Sequence, residues 1–406
     1  MHNLYRAVHL FFVYLTPFIF FTMLKTGFLL PRSSVYPAIG YDFLDGFKSY
    51  FNSANGAGTP DIVTQNIGFG TDEAEVYSKN EELLLKENVE LVIAFMDGRS
   101  AEMIQPLFAA TGKILLLVNM GAQFNYEAAP GACTIHHTFN VAFNSWLTGK
   151  LAGDEQHRKA AFATSYYDAG YLQCFAMATR YLENKSNAIV NNYVSHFKKD
   201  EFQVGSLEEY LAGDPETDAL LSLFSGDVSP LYYKEISRLQ QQRGLHIYAS
   251  PMMLDENLQP LLGSDFRIAN VKGYAAWNSQ LANAANEQYK AEFEKYAGRP
   301  AGIFGLLGWE AGMIAKEIFR LKEEGSRGAA TVKQIMEMKL DSPRGWLRFD
   351  APTQQSYSTA YLLNVSDGFS LHIESTLEEY ADEWKKYTIA KPVGESSGWR
   401  NTYLCS

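Results

Sequence analysis

Three cysteines in a chain of 406 residues, Cys133, Cys174 and Cys405, stand at long and irregular spacing. They form neither a disulfide framework nor a CxxC pattern, so at most one bridge can close and structural zinc is excluded. Basic residues are outnumbered, 35 Lys+Arg against 46 Asp+Glu, and the net charge of −11 argues against nucleic acid as a partner. The chain also lacks a GxSxG elbow, a GxGxxG or GxxxxGK[ST] loop and an HExxH helix, which weighs against common hydrolase, nucleotide and zinc chemistry. Gly68-Phe69-Gly70 and Gly305-Leu306-Leu307-Gly308 are glycine-dense but lack the context of a phosphate loop. No cofactor or metal site is expected. Beyond residue 24 nothing approaches 18 uninterrupted apolar residues, and no short repeat or low-complexity tract occurs. What is there is 47% apolar, 20% charged and 14% aromatic, the composition of a globular chain with a large core in two or three units.

Residues 1–23 form a signal-like segment: Arg6 precedes an apolar run, Leu10 to Leu24, interrupted only by Thr16, Pro17 and Thr22. The run is short for a membrane span and matches the apolar region of a secretory signal, so export to the periplasm or cell envelope is expected. No small-x-small cleavage site follows, which leaves uncleaved anchoring and a wrongly chosen start open; the alternative is a first core strand extended by an apolar helix.

From Lys25 onward, short β-branched or aromatic runs alternate with helical patterns, the signature of βαβ units around parallel sheets. Strands are expected at Thr26–Leu30, Asp61–Ile67, Leu91–Phe95, Ile114–Val118 and Thr134–His137, with helices at Tyr41–Phe51, Asp72–Lys86 and Ala101–Ala110. The pattern restarts after Asn140. Strands at Ala160–Thr164, Ala188–Tyr193, Ala219–Phe224, Leu245–Ala249 and Arg267–Val271 enclose helices near Asp168–Leu182, Ser206–Leu211 and Pro230–Gln241. Helical stretches at Trp277–Tyr296 and Leu306–Glu323 follow, and the segment 391–406, rich in Gly, Ser and Pro, is expected to be loosely held.

Two α/β lobes place a cleft between them, and ligands of open parallel sheets bind beyond the carboxyl ends of the strands. The loops in question are Leu30–Gly40, Met96–Ser100, Asn119–Asn125, Ser165–Gly170, Ser225–Ser229 and Ser250–Asp255. Met96-Asp97-Gly98-Arg99-Ser100 ends a strand and opens a helix, which favours an anionic group; Ser100 suits an N-cap, and Arg99 can fork onto a carboxylate or merely pair with Asp97. In Met120-Gly121-Ala122 the glycine permits close approach of a ligand or serves an ordinary turn. Asp168 is expected as an N-cap beside Tyr166 and Tyr167, two adjacent rings that cannot both enter a core and so suit a bound solute. Asp227 is either a solvated acid or a ligand partner. His136-His137 lies in a strand, where neighbours point to opposite faces and cannot share an ion.

In order and spacing, Lys25–Leu30 with Tyr41–Phe47, Leu91–Ser100, Ile114–Ala122, Thr164–Gly170, Phe224–Gly226 and Tyr248–Pro251 resemble the leucine/isoleucine/valine-binding branch of the type I periplasmic solute-binding proteins of ABC transporters. The resemblance implies two doubly wound parallel-sheet α/β lobes joined by a three-crossover hinge: lobe 1 as 24–138 plus 272–358, lobe 2 as 139–271 plus 359–390. It implies a ligand carboxylate held at Asp97 to Ser100 and Met120 to Ala122, with Tyr167 completing the clamp. Amino-acid binders of this family carry an acid after the stretch matching Tyr248–Pro251, where this chain has Met252-Met253; the paired methionines and tyrosines suit an aromatic or apolar solute. The expected protein is a non-enzymatic, monomeric, extracytoplasmic solute-binding protein that captures a small amino acid-like or aromatic acid and serves an ABC permease in the membrane. The alternatives are a ligand-sensing regulatory module of the same fold and an α/β enzyme using Asp97 or Asp227 as acid/base.

Overall fold

The computed structural model describes residues 25–53, 60–123, 129–366, 368–392 and 403–404. The signal-like segment and Cys405 lie outside them; Cys133 and Cys174 are buried thiols.

Among the described residues, fifteen strands form two sheets. In the first half of the chain these are β1 (Thr26–Leu30), β2 (Ile62–Asn66), β3 (Leu91–Phe95), β4 (Ile114–Asn119) and β5 (Thr134–Thr138). The second series is β6 (Lys159–Thr164), β7 (Ala188–Val194), β8 (Ala219–Leu223), β9 (His246–Ala249) and β10 (Val271–Ala275). The last five are β11 (Leu340–Ser342), β12 (Gly345–Asp350), β13 (Gln355–Tyr357), β14 (Ala360–Ser366) and β15 (Ser370–Leu377).

The first sheet runs β11-β12-β13-β5-β4-β3-β1-β2 and the second β15-β14-β10-β9-β8-β6-β7. Within each, the five strands of the early series are parallel and the late strands add antiparallel pairs at one edge. The register places Phe28 beside Ile93 and Thr64. Every residue of β3, β4 and β8 is buried, because helices cover both faces of a parallel sheet. The first lobe's core centres on Phe28, Phe43 and Phe47, rings meeting edge to face.

The chain passes between the sheets after β5, after β10 and after β13. The expected return at 271/272 falls inside β10, which belongs wholly to the second sheet. Asn270, at a φ of 53°, turns the chain, so the strand begins after it and not at Arg267. The helix expected from Trp277 likewise starts at Ala284, capped by the Asn283 side chain. Gly305-Leu306-Leu307-Gly308 opens the long helix Ile303–Glu323, where a Cβ on Gly308 would meet the Phe43 carbonyl oxygen at 1.9 Å. The glycines let two helices touch backbone to backbone and have nothing to do with phosphate.

Candidate functional site

Strand order reverses between β1 and β3 in one sheet and between β6 and β8 in the other. Loops leaving those strands diverge and open a crevice at each switch point. The structure sets the two crevices against each other. Tyr36, in the loop after β1, accepts a hydrogen bond at its phenol oxygen from the Gly226 amide after β8, at 2.9 Å. Gly226 adopts a φ of 59°, and a Cβ there would meet the Val35 side chain at 2.5 Å, so the contact requires glycine on both counts. Gln123, after β4, reaches across to accept from the Leu172 amide at 3.0 Å and donate to the Gly170 carbonyl at 3.5 Å.

Between these bridges lies an aromatic cluster. Tyr36 packs on Phe304 with ring centroids 5.0 Å apart, and Tyr171 of the second lobe faces it across the ring of Tyr403, 5.7 Å from each. Tyr403 and Leu404, expected to be loosely held, are 1% and 0% exposed, because the segment's one aromatic-aliphatic pair finds apolar walls in the cleft.

Beneath the cluster, Asp168 is fully buried and accepts from Ser165 Oγ at 2.5 Å, Ser225 Oγ at 2.9 Å and Gln173 Nε2 at 2.9 Å. Burial outweighs these bonds and pushes its pKa up to about 7. Asp168 is therefore not a helix N-cap: it sits in the turn Asp168–Gly170, and the following helix starts at Leu172. Burial also pushes the phenols of Tyr36 and Tyr403 up, which keeps both neutral.

The sequence-derived candidates divide. Asp97 and Ser100 are buried after β3, Gly98 is half-buried and Arg99 is exposed. Ser100 lies inside the short helix Gly98–Ala101 and does not cap it; its hydroxyl meets no hydrogen-bond partner among the described residues. Met120 and Ala122 are buried, and Gly121, at a φ of 70°, packs against the crossing segment, where a Cβ would meet Thr138 Oγ1 at 2.2 Å. Tyr166 is 43% exposed and meets the half-buried Tyr167 ring edge to face at 5.5 Å. Asp227 is exposed and paired with Lys199 at 2.6 Å, which draws its charge to the surface. Met252 and Met253 sit in the core under the turn Pro251–Met253, beyond which half-buried Asp255 lines a cavity of about 220 Å³ with Trp277, Asn278 and Ile303.

Sequence reasoning missed Tyr36, Gln123, Tyr171, Gln173 and Tyr403 as individuals. The first three lie in or beside loops that the switch-point rule singles out; Gln173 and Tyr403 carry no local signal. His137, buried in β5, lies 3.3 Å from Glu310, which also holds the buried Arg344 guanidinium at 2.8 Å. This pair of charges sits at the first crossing, where Arg344 also donates to the Thr138 carbonyl at 2.9 Å, and it holds the Glu310 carboxyl at about 2.

The family model for periplasmic binding protein matches residues 24–369. The chain belongs to that family. A comparison with curated protein sequences finds no match. Among solved structures, this binding protein is similar to a solute-binding protein of an ABC transporter from Rhodopseudomonas palustris HaA2 in complex with p-hydroxybenzoic acid: 16% identity, TM-score 0.73, covering 89% of this chain and 98% of that one. A solute-binding protein from R. palustris in complex with benzoate is similar at 20% identity and TM-score 0.70, with 88% and 98% covered. The branched-chain amino acid binding protein LivJ of Streptococcus pneumoniae, in complex with isoleucine, is similar at 15% identity and TM-score 0.62, with 88% and 99% covered. At these identities the likeness shows the fold alone, that of the type I periplasmic binding proteins; solute binding is the role of the family whose model the chain matches.

Proposed function

We propose that this protein captures a small aromatic carboxylic acid in the interlobe cleft, outside the cytoplasm, and presents it to an ABC permease without chemical change. The observation that carries the reading is the aromatic wall of Tyr36, Phe304 and Tyr171, contributed by both lobes and sized to grip a ring by edge-to-face contact. Relatives of the same fold held with benzoate and p-hydroxybenzoic acid support the ligand class. The buried acid of the cleft, Asp168, is already engaged by two hydroxyls and an amide, so it is not a ready partner for the ammonium of an amino acid. Ser100 supplies a hydroxyl donor for the carboxylate, with Gly98, Met120, Ala122 and Tyr167 shaping the surrounding wall. Arg99 and Asp227, both exposed, stay outside this assignment, as do Met252 and Met253 in the turn after β9.

A ligand that binds only the folded form raises the melting temperature by mass action. Thermal-shift and calorimetric titration with benzoate, 4-hydroxybenzoate, leucine and isoleucine test the reading. Stabilisation by the aromatic acids alone is the expected result; stabilisation by the aliphatic amino acids alone overturns it.

A further inference from the structure

We propose that Tyr403 is an intramolecular occupant of the solute subsite, its phenol ring filling the space between Tyr36 and Tyr171, so that an incoming phenolic or benzoic solute must displace the chain's own side chain. The inference rests on the proposed function for the identity of the incoming solute, and on geometry alone for the occupancy. Five contacts define it. The ring lies 5.7 Å from Tyr36 of the first lobe and 5.7 Å from Tyr171 of the second, at interplanar angles of 86° and 71°. Its hydroxyl donates to Gln173 Oε1 at 3.3 Å. Its amide donates to the Tyr171 phenol oxygen at 3.4 Å, and its carbonyl accepts from Ser33 Oγ. Both lobes therefore grip one residue.

The chemistry of the socket is that of a phenol receptor, and not merely of a greasy strap. Gln173 gives its amide N–H to Asp168, which turns its carbonyl oxygen toward the ring's hydroxyl. A strap held by burial alone needs Leu404 and no acceptor aimed at the neighbouring phenol. Tyr403 also adopts a φ of 67°, a left-handed backbone that a bulky aromatic residue rarely takes and that its surroundings must impose. The contact is local and strained, the kind that a better-fitting solute can replace.

If the socket is filled from within, the apparent affinity for a solute is the intrinsic affinity reduced by the fraction of molecules in which the socket is open. The test uses the full chain. In Tyr403→Ala, calorimetry with 4-hydroxybenzoate is expected to give binding at least about tenfold tighter than in the unmodified chain, and X-ray scattering a larger radius of gyration without solute. A synthetic peptide of residues 398–406 added to that variant is expected to restore compactness and compete with 4-hydroxybenzoate. A second measurement avoids mutation of the socket: with 3-fluorotyrosine at position 403, the 19F signal is expected to move from a buried to a solvent shift as 4-hydroxybenzoate is added. Solute binding that leaves this signal unmoved, or equal affinity and equal radius in the two chains, overturns the inference while leaving the solute reading intact. Expansion of Tyr403→Ala that the peptide reverses, with no aromatic acid bound by either chain, supports the occupancy and sinks the solute reading instead.

Discussion

The Tyr36 phenol oxygen lies 2.9 Å from the amide nitrogen of Gly226 and ties the loop after β1 to the loop after β8. It is a bond between the two lobes. Tyr36→Phe keeps the ring and its packing on Phe304 but removes the acceptor. A typical hydrogen bond contributes about 0.5–1.5 kcal/mol net, so solute affinity is expected to fall roughly two- to tenfold and the solute-free melting temperature to drop by about a degree or two. Titration calorimetry and a melting curve check both halves of that expectation.

Gly226 is the other partner, and its position tolerates no side chain. A Cβ at 2.5 Å from Val35 with φ at 59° combines a clash across the lobes with a backbone penalty of order 1–3 kcal/mol within its own loop. Gly226→Val is expected to fold, melt a few degrees lower and lose solute binding by an order of magnitude or more, because the clash lies across the two lobes. Retained affinity in a well-folded variant shows that the lobes need not meet there.

Asp168 makes stability depend on pH in the unusual direction for a carboxyl. Its folded pKa, about 7, lies above the unfolded value near 3.8, so the folded protein holds a proton that the unfolded chain has released across this window. This contribution is fully present below about pH 4 and is lost as the pH climbs through about 7. Urea denaturation at pH 5 and pH 8 is expected to show a drop that Asp168→Asn largely removes. A variant as pH-dependent as the parent places the titration elsewhere.

At the first crossing, Glu310 carries the opposite sign. Arg344 and His137 hold its carboxyl at about 2, below the ordinary 4.5, so its contribution is present at neutral pH and lost on acidification toward that value. Glu310→Ala strands a fully buried guanidinium, and breaking a buried pair from one side costs about 3–5 kcal/mol. Chemical denaturation is expected to show that loss, and a double substitution of Glu310→Leu with Arg344→Met to recover much of it.

Much of the architecture was legible because parallel strands covered on both faces must be continuously apolar. β1 and β3 have the bounds that the runs Thr26–Leu30 and Leu91–Phe95 predict. β10 was placed early because Arg267–Val271 and Val271–Ala275 look alike in composition, and only the turn at Asn270 separates them. β11 to β15 went unread: apart from the parallel pairing of β13 with β5 they add antiparallel pairs to one side of each sheet, with no helix between them. At the site, the rule that ligands bind beyond strand ends finds the loops holding Tyr36, Asp168 and Gly226. It does not tell which side chain turns inward. Asp168 looked like a helix cap because capping is a local habit of aspartate, whereas its partner Ser225 lies 57 positions away and Tyr403 meets Tyr171 across 232.

The pairing of β13 with β5, and the packing of helix Ile303–Glu323 over the first lobe, bear on synthesis. A nascent polypeptide that has delivered β1 to β5 still lacks both its longest covering helix and the strand that extends its sheet beyond β5, and must wait roughly 200 further residues for them. The amino-terminal half therefore leaves the ribosome with apolar surface that stays uncovered until the last third of the chain arrives.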